Sequence, residues 1–257
     1  MEKLITEVVK TNNSDALIVI PTYNEIENIE MIIRKIVSLE YSFDILVVDD
    51  NSKDGTGEKV EELIFELKNR LYCIHRECKL GLGTAYIAGF KWALNRDNYK
   101  YIFEMDADFS HDPNDLPRFI KEIQKADLVI GSRFYEWRLN VINWPIKRLI
   151  LSLIGSQYIR LVLGKIGVYD ITGGFKCFKR KVLETIDLDN IKSTGFSFQV
   201  ELNYKTIRKG FTIKEIPIIF KDRELGTSKM SKGIIKEALI VPIKLKLGLV
   251  FTNHKKK

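Results

Sequence analysis

The sequence predicts an α/β protein with a mostly parallel sheet flanked by helices and with amphipathic helices at the C-terminal end. Three observations carry this. Short apolar runs alternate with stretches whose apolar residues recur at helical spacing through the first half of the chain. Pro, Gly and acidic residues punctuate that alternation. The chain has 257 residues, 45% of them hydrophobic, which allows one large α/β domain with a small appendage. Strands alternating with helices imply right-handed crossovers and parallel pairing.

Residues 16–20 form an apolar run ending at Pro21, a strand followed by a loop. Asn24 and Glu27 then resemble a capping box. Ile29, Ile32, Ile33, Ile36 and Val37 build one helical face. Residues 45–48 are the next strand, ending at Asp49-Asp50-Asn51. Asp54-Gly55-Thr56 turns into a helix with Val60, Leu63, Ile64 and Leu67 on one side. Residues 72–75 make a short strand, and Gly81 to Gly83 opens a helix to about Leu94. Residues 101–105 are a strand. Asp112-Pro113 starts a helix with proline in its first turn, and Leu116, Phe119, Ile120 and Ile123 are its buried face. Residues 127–130 are a strand.

The second half is less regular. Trp144-Pro145 starts a long amphipathic helix to about Leu163, and Thr172-Gly173-Gly174 is a turn. Residues 213–220 read as another strand, followed by a loop rich in Gly, Ser and Lys. The pattern suggests a main domain over residues 1–230 and an amphipathic segment over 231–257.

Lys and Arg number 41 against 34 Asp and Glu, a net charge of +7. That favours an anionic partner: nucleic acid, a phosphorylated ligand or a membrane surface. The three cysteines, Cys73, Cys78 and Cys177, have no metal-type spacing and read as reduced thiols of a cytoplasmic protein. No signal peptide is evident. No stretch reaches the roughly 18 apolar residues of a membrane span. Lys236, Glu237, Lys244 and Lys246 interrupt the nearest candidate. The chain is therefore expected to lie on a membrane rather than cross it.

The chemistry centres on Met105-Asp106-Ala107-Asp108, at the carboxyl end of the strand over residues 101–105. In open α/β sheets that edge binds ligands. Two carboxylates this close repel, and a divalent cation, Mg2+ or Mn2+, is the natural reason to tolerate it. Glu25 and Asp49-Asp50 fall at the ends of two earlier strands, so three acidic features converge on one sheet edge. Arg133, Arg148, Arg223 and Lys229 are the candidate cations that, with a metal, would balance this crevice. Together they suit a metal diphosphate and a second phosphate.

Several classes are excluded. Gly81-Leu82-Gly83-Thr84-Ala85-Tyr86 starts like a dinucleotide fingerprint, but Tyr86 replaces the third glycine and the stretch follows the wrong strand. A phosphate-binding Gly-Lys-Ser/Thr loop is absent, as are Ser and Cys nucleophile signatures. His111 beside the acidic pair reads as a supporting residue rather than a ligand. The basic residues form no nucleic-acid motif, and an acidic crevice would repel a phosphate backbone.

Read in order, several stretches resemble the family 2 glycosyltransferases of the GT-A type. They are Ile20-Pro21-Thr22-Tyr23-Asn24-Glu25, Val48-Asp49-Asp50-Asn51-Ser52, Asp106-Ala107-Asp108-Phe109-Ser110-His111 and Gly131-Ser132-Arg133-Phe134. Within that family the chain is similar to the polyprenol-phosphate (dolichol-phosphate) mannosyltransferase branch. Lys79-Leu80-Gly81-Leu82-Gly83-Thr84-Ala85-Tyr86 and Asp222-Arg223-Glu224-Leu225-Gly226-Thr227-Ser228-Lys229 are the more specific to that branch, and Thr172-Gly173-Gly174-Phe175 matches as well. It spans nearly the whole chain.

The resemblance implies a Rossmann-like GT-A sheet and transfer of mannose from GDP-mannose to a polyprenyl monophosphate, with inversion. It implies that Pro21, Tyr23, Glu25, Val48 and Asp50 line the nucleoside end of the donor. Asp106, Ala107 and Asp108 would hold metal and diphosphate, with Arg133, Arg223 and Lys229 on the donor or its phosphates. Arg133, Arg148 and Ser152 would take the lipid phosphate. Ser110 stands where some relatives carry glutamine, which leaves serine or water as the third metal ligand. Many relatives carry C-terminal membrane spans that this sequence lacks, so a membrane-anchoring subunit is an open partner. The implied location is the cytoplasmic face of a membrane. A related reading keeps the acceptor and replaces the donor with another sugar nucleotide such as UDP-glucose. A processive polysaccharide synthase is discounted, because Gln157-Tyr158-Ile159-Arg160 is followed by Leu161 rather than Trp.

Overall fold

The computed structural model describes residues 14–142, 144–164, 166–193, 195, 197–221 and 232–248. The first half runs β1 (Ala16–Thr22), α1 (Ile26–Val37), β2 (Asp44–Asp49), α2 (Thr56–Glu66), β3 (Leu71–His75), α3 (Leu82–Leu94), β4 (Tyr101–Glu104), α4 (Leu116–Ile123) and β5 (Leu128–Ser132). Each follows the alternation in the sequence. Then come β6 (Val141–Ile142), α5 (Ile146–Leu163), β7 (Lys176–Lys179), α6 (Arg180–Thr185), α7 (Ser197–Arg208), β8 (Ile213–Pro217), β9 (Phe220–Lys221) and α8 (Lys232–Lys246).

Seven strands form one sheet in the order β3-β2-β1-β4-β7-β5-β8. All neighbours are parallel except β7, which is antiparallel to both β4 and β5. β6 and β9 pair separately in parallel. The core has two layers. One packs α1, α2 and α4 side chains such as Ile32, Val60 and Phe119 on Ile18, Val47 and Phe103. The other packs α3, α5, α7 and α8 side chains such as Phe90, Ile159, Phe198 and Leu245 on Val19, Val48 and Ile130.

Four elements differ from the sequence reading. β7 was not expected: Lys-Cys-Phe-Lys is short, and its Lys176 is buried rather than solvated. α7 shows no helical stripe because nearly every side chain in it is buried, Gln199, Glu201, Asn203 and Lys205 included. The expected strand over 213–220 is two strands, split after Pro217. The capping box at α1 does not form. Asn24 adopts a left-handed φ of 57°, and the Asp54 carboxylate accepts from the Ile26 amide at 3.1 Å instead. Asp112 does cap, its carboxylate accepting from the Asn114 amide at 2.9 Å, but the turn it caps is a single 3-10 turn, Pro113–Asp115, that leads into α4.

Two glycines let α3 pack closely, Gly89 against β1 of the sheet and Gly83 against α7. A Cβ at Gly89 would sit 2.4 Å from Val19 Cγ1, and one at Gly83 would sit 2.7 Å from the Phe198 ring. Among the described residues no helix is long and apolar enough to cross a membrane.

Candidate active site

Parallel register sets Thr22 beside Asp49 and Val19 beside Glu104, so the carboxyl ends of β1, β2 and β4 line up. The loops after them form one crevice. The three acidic features do converge there, but they are not equivalent.

Asp49 is a latch. Its carboxylate accepts from the Thr22 hydroxyl at 2.7 Å and from the Ser52 hydroxyl and amide at 2.6 and 3.0 Å. Asp50 is nearly buried and pairs with Arg76 Nη1 at 2.9 Å. Arg76 also donates to the Thr84 hydroxyl at 2.7 Å. Burial pushes the Asp50 carboxyl above its ordinary value, and Arg76 pulls it back. Lys79 Nζ lies 3.9 Å from the centre of the Tyr23 ring, a cation–π contact. Pro21, Tyr23 and Glu25 are partly exposed on this end. Val48 is fully buried in the core under α3.

The acidic pair sits in a tight loop. The Asp106 amide donates to His111 Nδ1 at 3.0 Å, and Asp106 Oδ1 accepts from the Tyr86 hydroxyl at 3.1 Å. Asp108 is buried, and its Oδ1 accepts from the Ser110 amide at 3.1 Å. Phe109 between them takes a left-handed φ of 59°, which folds the loop back on itself. Ala107 is buried beneath. His111 is buried and stacked on Phe175, with ring centroids 4.9 Å apart. Burial pushes its pKa down, so the ring is neutral at pH 7. With Nδ1 accepting, the proton sits on Nε2.

These residues fit a divalent cation. The Ser110 hydroxyl oxygen is buried and has no hydrogen-bond partner among the described residues, so it can serve as a neutral oxygen ligand. Two carboxylates and one hydroxyl do not close a cage. Among the described residues no group of three His, Cys, Asp or Glu side chains is arranged to hold an ion. Mg2+ sites of this kind take one or two carboxylates and let substrate phosphates complete the shell. A groove of about 950 Å3 opens beside Asp108, lined in part by Phe109, Asn114, Arg118, Ile142 and Ile219.

Arg133 follows β5 and is locked. Its amide and Nε both donate to Asp170 Oδ2, at 2.9 and 2.7 Å, and Nη2 donates to Asp170 Oδ1 at 2.7 Å and to the Thr172 hydroxyl at 2.8 Å. Asp170 is fully buried. Burial disfavours both charges, yet their mutual attraction wins, holding Asp170 below and Arg133 above their ordinary values. The Glu215 carboxylate in turn accepts from the Tyr169 and Asp170 amides at 2.7 and 2.8 Å.

Arg148 and Ser152 lie one helical turn apart on α5; Ser152 is half-buried, and the Arg148 side chain is outside what the structure describes. Arg223 and Lys229 lie outside the described residues. Sequence reasoning missed Arg76, Lys79, Tyr86 and Asp170. The first three flank or fall within the Gly-rich stretch before and into α3. Asp170 carries no local signal.

The sequence pattern of glycosyl transferase family 2 matches residues 17–187. The chain is 46% identical over 224 residues to a polyprenol monophosphomannose synthase of Mycolicibacterium smegmatis, covering 87% of this chain and 83% of that one. It is 46% identical over 224 residues to an undecaprenyl-phosphate mannosyltransferase of Micrococcus luteus, covering 87% and 90%. In fold it is similar to glucosyl-3-phosphoglycerate synthase from Mycobacterium tuberculosis, solved with Mn2+, uridine diphosphate and glucosyl-3-phosphoglycerate. That match has a TM-score of 0.63 at 16% identity, over 91% of this chain and 80% of the other. A mannosyltransferase from Pyrobaculum calidifontis, solved with GDP-Man and Mn2+, matches with a TM-score of 0.58 at 17% identity, over 94% and 65%. The sheet, its crevice and the matched stretch agree: the chain belongs to glycosyl transferase family 2 and is a glycosyltransferase of the GT-A fold.

Proposed function

We propose that this enzyme transfers mannose from GDP-mannose to a polyprenyl monophosphate, with Mg2+ or Mn2+ bound and with inversion at the anomeric carbon. The observation that carries this is the crevice itself, where the Asp106–Asp108 loop, held by Tyr86 and His111, stands at the carboxyl end of β4 beside the buried Ser110 hydroxyl. The names of the two relatives at 46% identity support the sugar and the acceptor class.

Asp106, Asp108 and the Ser110 hydroxyl would hold the cation, which supplies positive charge to the departing diphosphate. Asp50, Tyr23 and Lys79 face the nucleoside end, together with Pro21 and Glu25. Arg133 is fixed by Asp170 before substrate arrives, so the N–H groups that Asp170 and Thr172 leave over would donate without reorganising. The acceptor is a phosphate monoester with a second pKa of about 6, largely dianionic at neutral pH. It requires a clamp rather than a strong base, which suits Arg133 and, on α5, Arg148 and Ser152. Arg223 and Lys229 are further candidates for the donor phosphates.

Surface chemistry supports a membrane-borne acceptor. α5 exposes Ile146, Ile150, Leu151, Ile154 and Leu161, α8 exposes Leu239, Ile240 and Ile243, and Leu247 is exposed just after it. The two helices pack together, the Tyr158 hydroxyl donating to the Leu239 carbonyl at 2.7 Å. Clustered apolar exposure of this extent marks an interaction surface, and Lys244 and Lys246 border it. Basic amphipathic helices of this kind lie in the headgroup region.

The test is a transfer assay with short-chain polyprenyl phosphate and Mg2+, offering GDP-mannose and UDP-glucose separately and reading the lipid by mass spectrometry. Mannosyl-phosphoryl lipid from GDP-mannose, lost in Asp108→Ala, is the expected result. Product from UDP-glucose alone would overturn the sugar and keep the chemistry.

A further inference from the structure

We propose that Tyr86 is a positioning residue for the cation and diphosphate, acting through the carboxylate of Asp106. The proposal rests on the reading of Asp106 as a cation ligand.

Tyr86 is fully buried on α3, and its hydroxyl reaches Asp106 Oδ1 at 3.1 Å. Its ring cannot swing. It lies nearly parallel to Phe198, with centroids 6.0 Å apart and planes at 6°, and beside Phe90, with centroids 6.1 Å apart. Phe198 reaches that position because Gly83, one turn earlier on α3, has no Cβ to block it. The hydroxyl is therefore delivered to a fixed point by packing alone.

Asp106 is held at its other end by its amide, which donates to His111 Nδ1. That bond fixes the backbone and leaves the carboxylate free to turn about its own side-chain torsions. Tyr86 removes this freedom. No hydrogen bond from the described residues goes to Oδ2, so the bond to Oδ1 selects which oxygen faces the crevice. Ligating carboxylates held this way bind metal more tightly, because the torsional freedom is lost before the ion arrives. The same stretch serves the nucleoside end, where Thr84 accepts from Arg76, the partner of Asp50. α3 thus braces both ends of the crevice from one helix.

Tyr86→Phe keeps the ring stack and removes only the hydroxyl. Mn2+ binding to the full chain in the presence of GDP, read by loss of the free-ion EPR signal, needs neither acceptor nor turnover. The expected result is about tenfold weaker Mn2+ binding, with an unchanged thermal midpoint, an unchanged acceptor KM and a lowered kcat. In an Asp106→Ala background, Tyr86→Phe should cost nothing further. Wild-type Mn2+ binding in Tyr86→Phe would overturn the proposal. So would an equal further loss in the Asp106→Ala background, because the hydroxyl would then act through something else. Unchanged Mn2+ binding in Asp106→Ala itself would overturn the cation reading and the proposal with it. Loss in Asp106→Ala without loss in Tyr86→Phe overturns the proposal alone.

Discussion

Lys176 Nζ lies 3.8 Å from Glu104 Oε2, and both side chains are fully buried. The antiparallel pairing of β4 and β7 sets the two residues directly opposite each other. Lys176 also donates to Gln199 Oε1 on α7. Burial pushes the Glu104 carboxyl up and the Lys176 ammonium down, while each draws the other back. The pair ties the inserted strand to the strand that carries the acidic loop.

Removing one partner strands the other. Lys176→Met is expected to lower the free energy of unfolding by about 3–5 kcal/mol. Adding Glu104→Gln should recover most of that loss, because the carboxylate that Lys176 had faced is then gone. Urea titrations of the two variants check both statements; equal destabilisation of the single and double variants would contradict the pairing.

A second buried carboxyl predicts a pH dependence. Burial pushes Asp44 from 3.8 up to about 7, with the Tyr99 hydroxyl, 2.9 Å away, and Arg70 opposing. The folded chain then binds a proton that the unfolded chain has lost. Its contribution to stability is complete below about pH 4 and is lost as pH rises towards 7, on the order of 4 kcal/mol at most. Asp44→Asn keeps an acceptor for Tyr99. It should flatten this slope and raise the denaturation midpoint at pH 8. Denaturation midpoints between pH 5 and 8 test it.

Arg133 presents a rigid fork held by both oxygens of Asp170. Arg133→Lys keeps the charge and loses the fork. We expect kcat to fall on the order of 10²-fold, with little change in donor KM. Steady-state kinetics with GDP-mannose and a short-chain polyprenyl phosphate would show this, and a wild-type kcat would remove Arg133 from the clamp.

The apolar surface of α5 and α8 predicts membrane binding. Ile150 and Ile154 are 51% and 61% exposed, one turn apart. Ile150→Asp with Ile154→Asp should release the protein from vesicles rich in anionic lipid. Lys244→Glu with Lys246→Glu should weaken the preference for anionic over zwitterionic vesicles by about 1 kcal/mol for each lysine lost. Vesicle flotation measures both, and unchanged flotation would leave those faces without a membrane role.

Much of the frame was legible in the sequence by itself. The strand–helix alternation through β5 is a local pattern, because one buried face imposes its own period on each element. The acidic pair at the end of β4 followed from an apolar run that stops at Met105. The motifs from Pro21 to Arg133 were sufficient to indicate the family. The amphipathic run after Pro145 announced α5 and its exposed face.

What remained is set by contacts between residues far apart in the chain, and only the tertiary structure decided it. β7 pairs between β4 and β5 and sets Lys176 opposite Glu104, a partner 72 positions away by number, and a charged residue in a short run gives no strand signal. α7 is buried on all sides, so its polar residues broke the helical pattern while being bonded within the fold. Val48 belongs to the core because α3 covers it. Arg133 is a fixed charge because of Asp170, and Asp106 is oriented because Gly83 lets Phe198 and Tyr86 stack. Sequence periodicity reports which face of an element is buried; it does not report which distant side chain is waiting there.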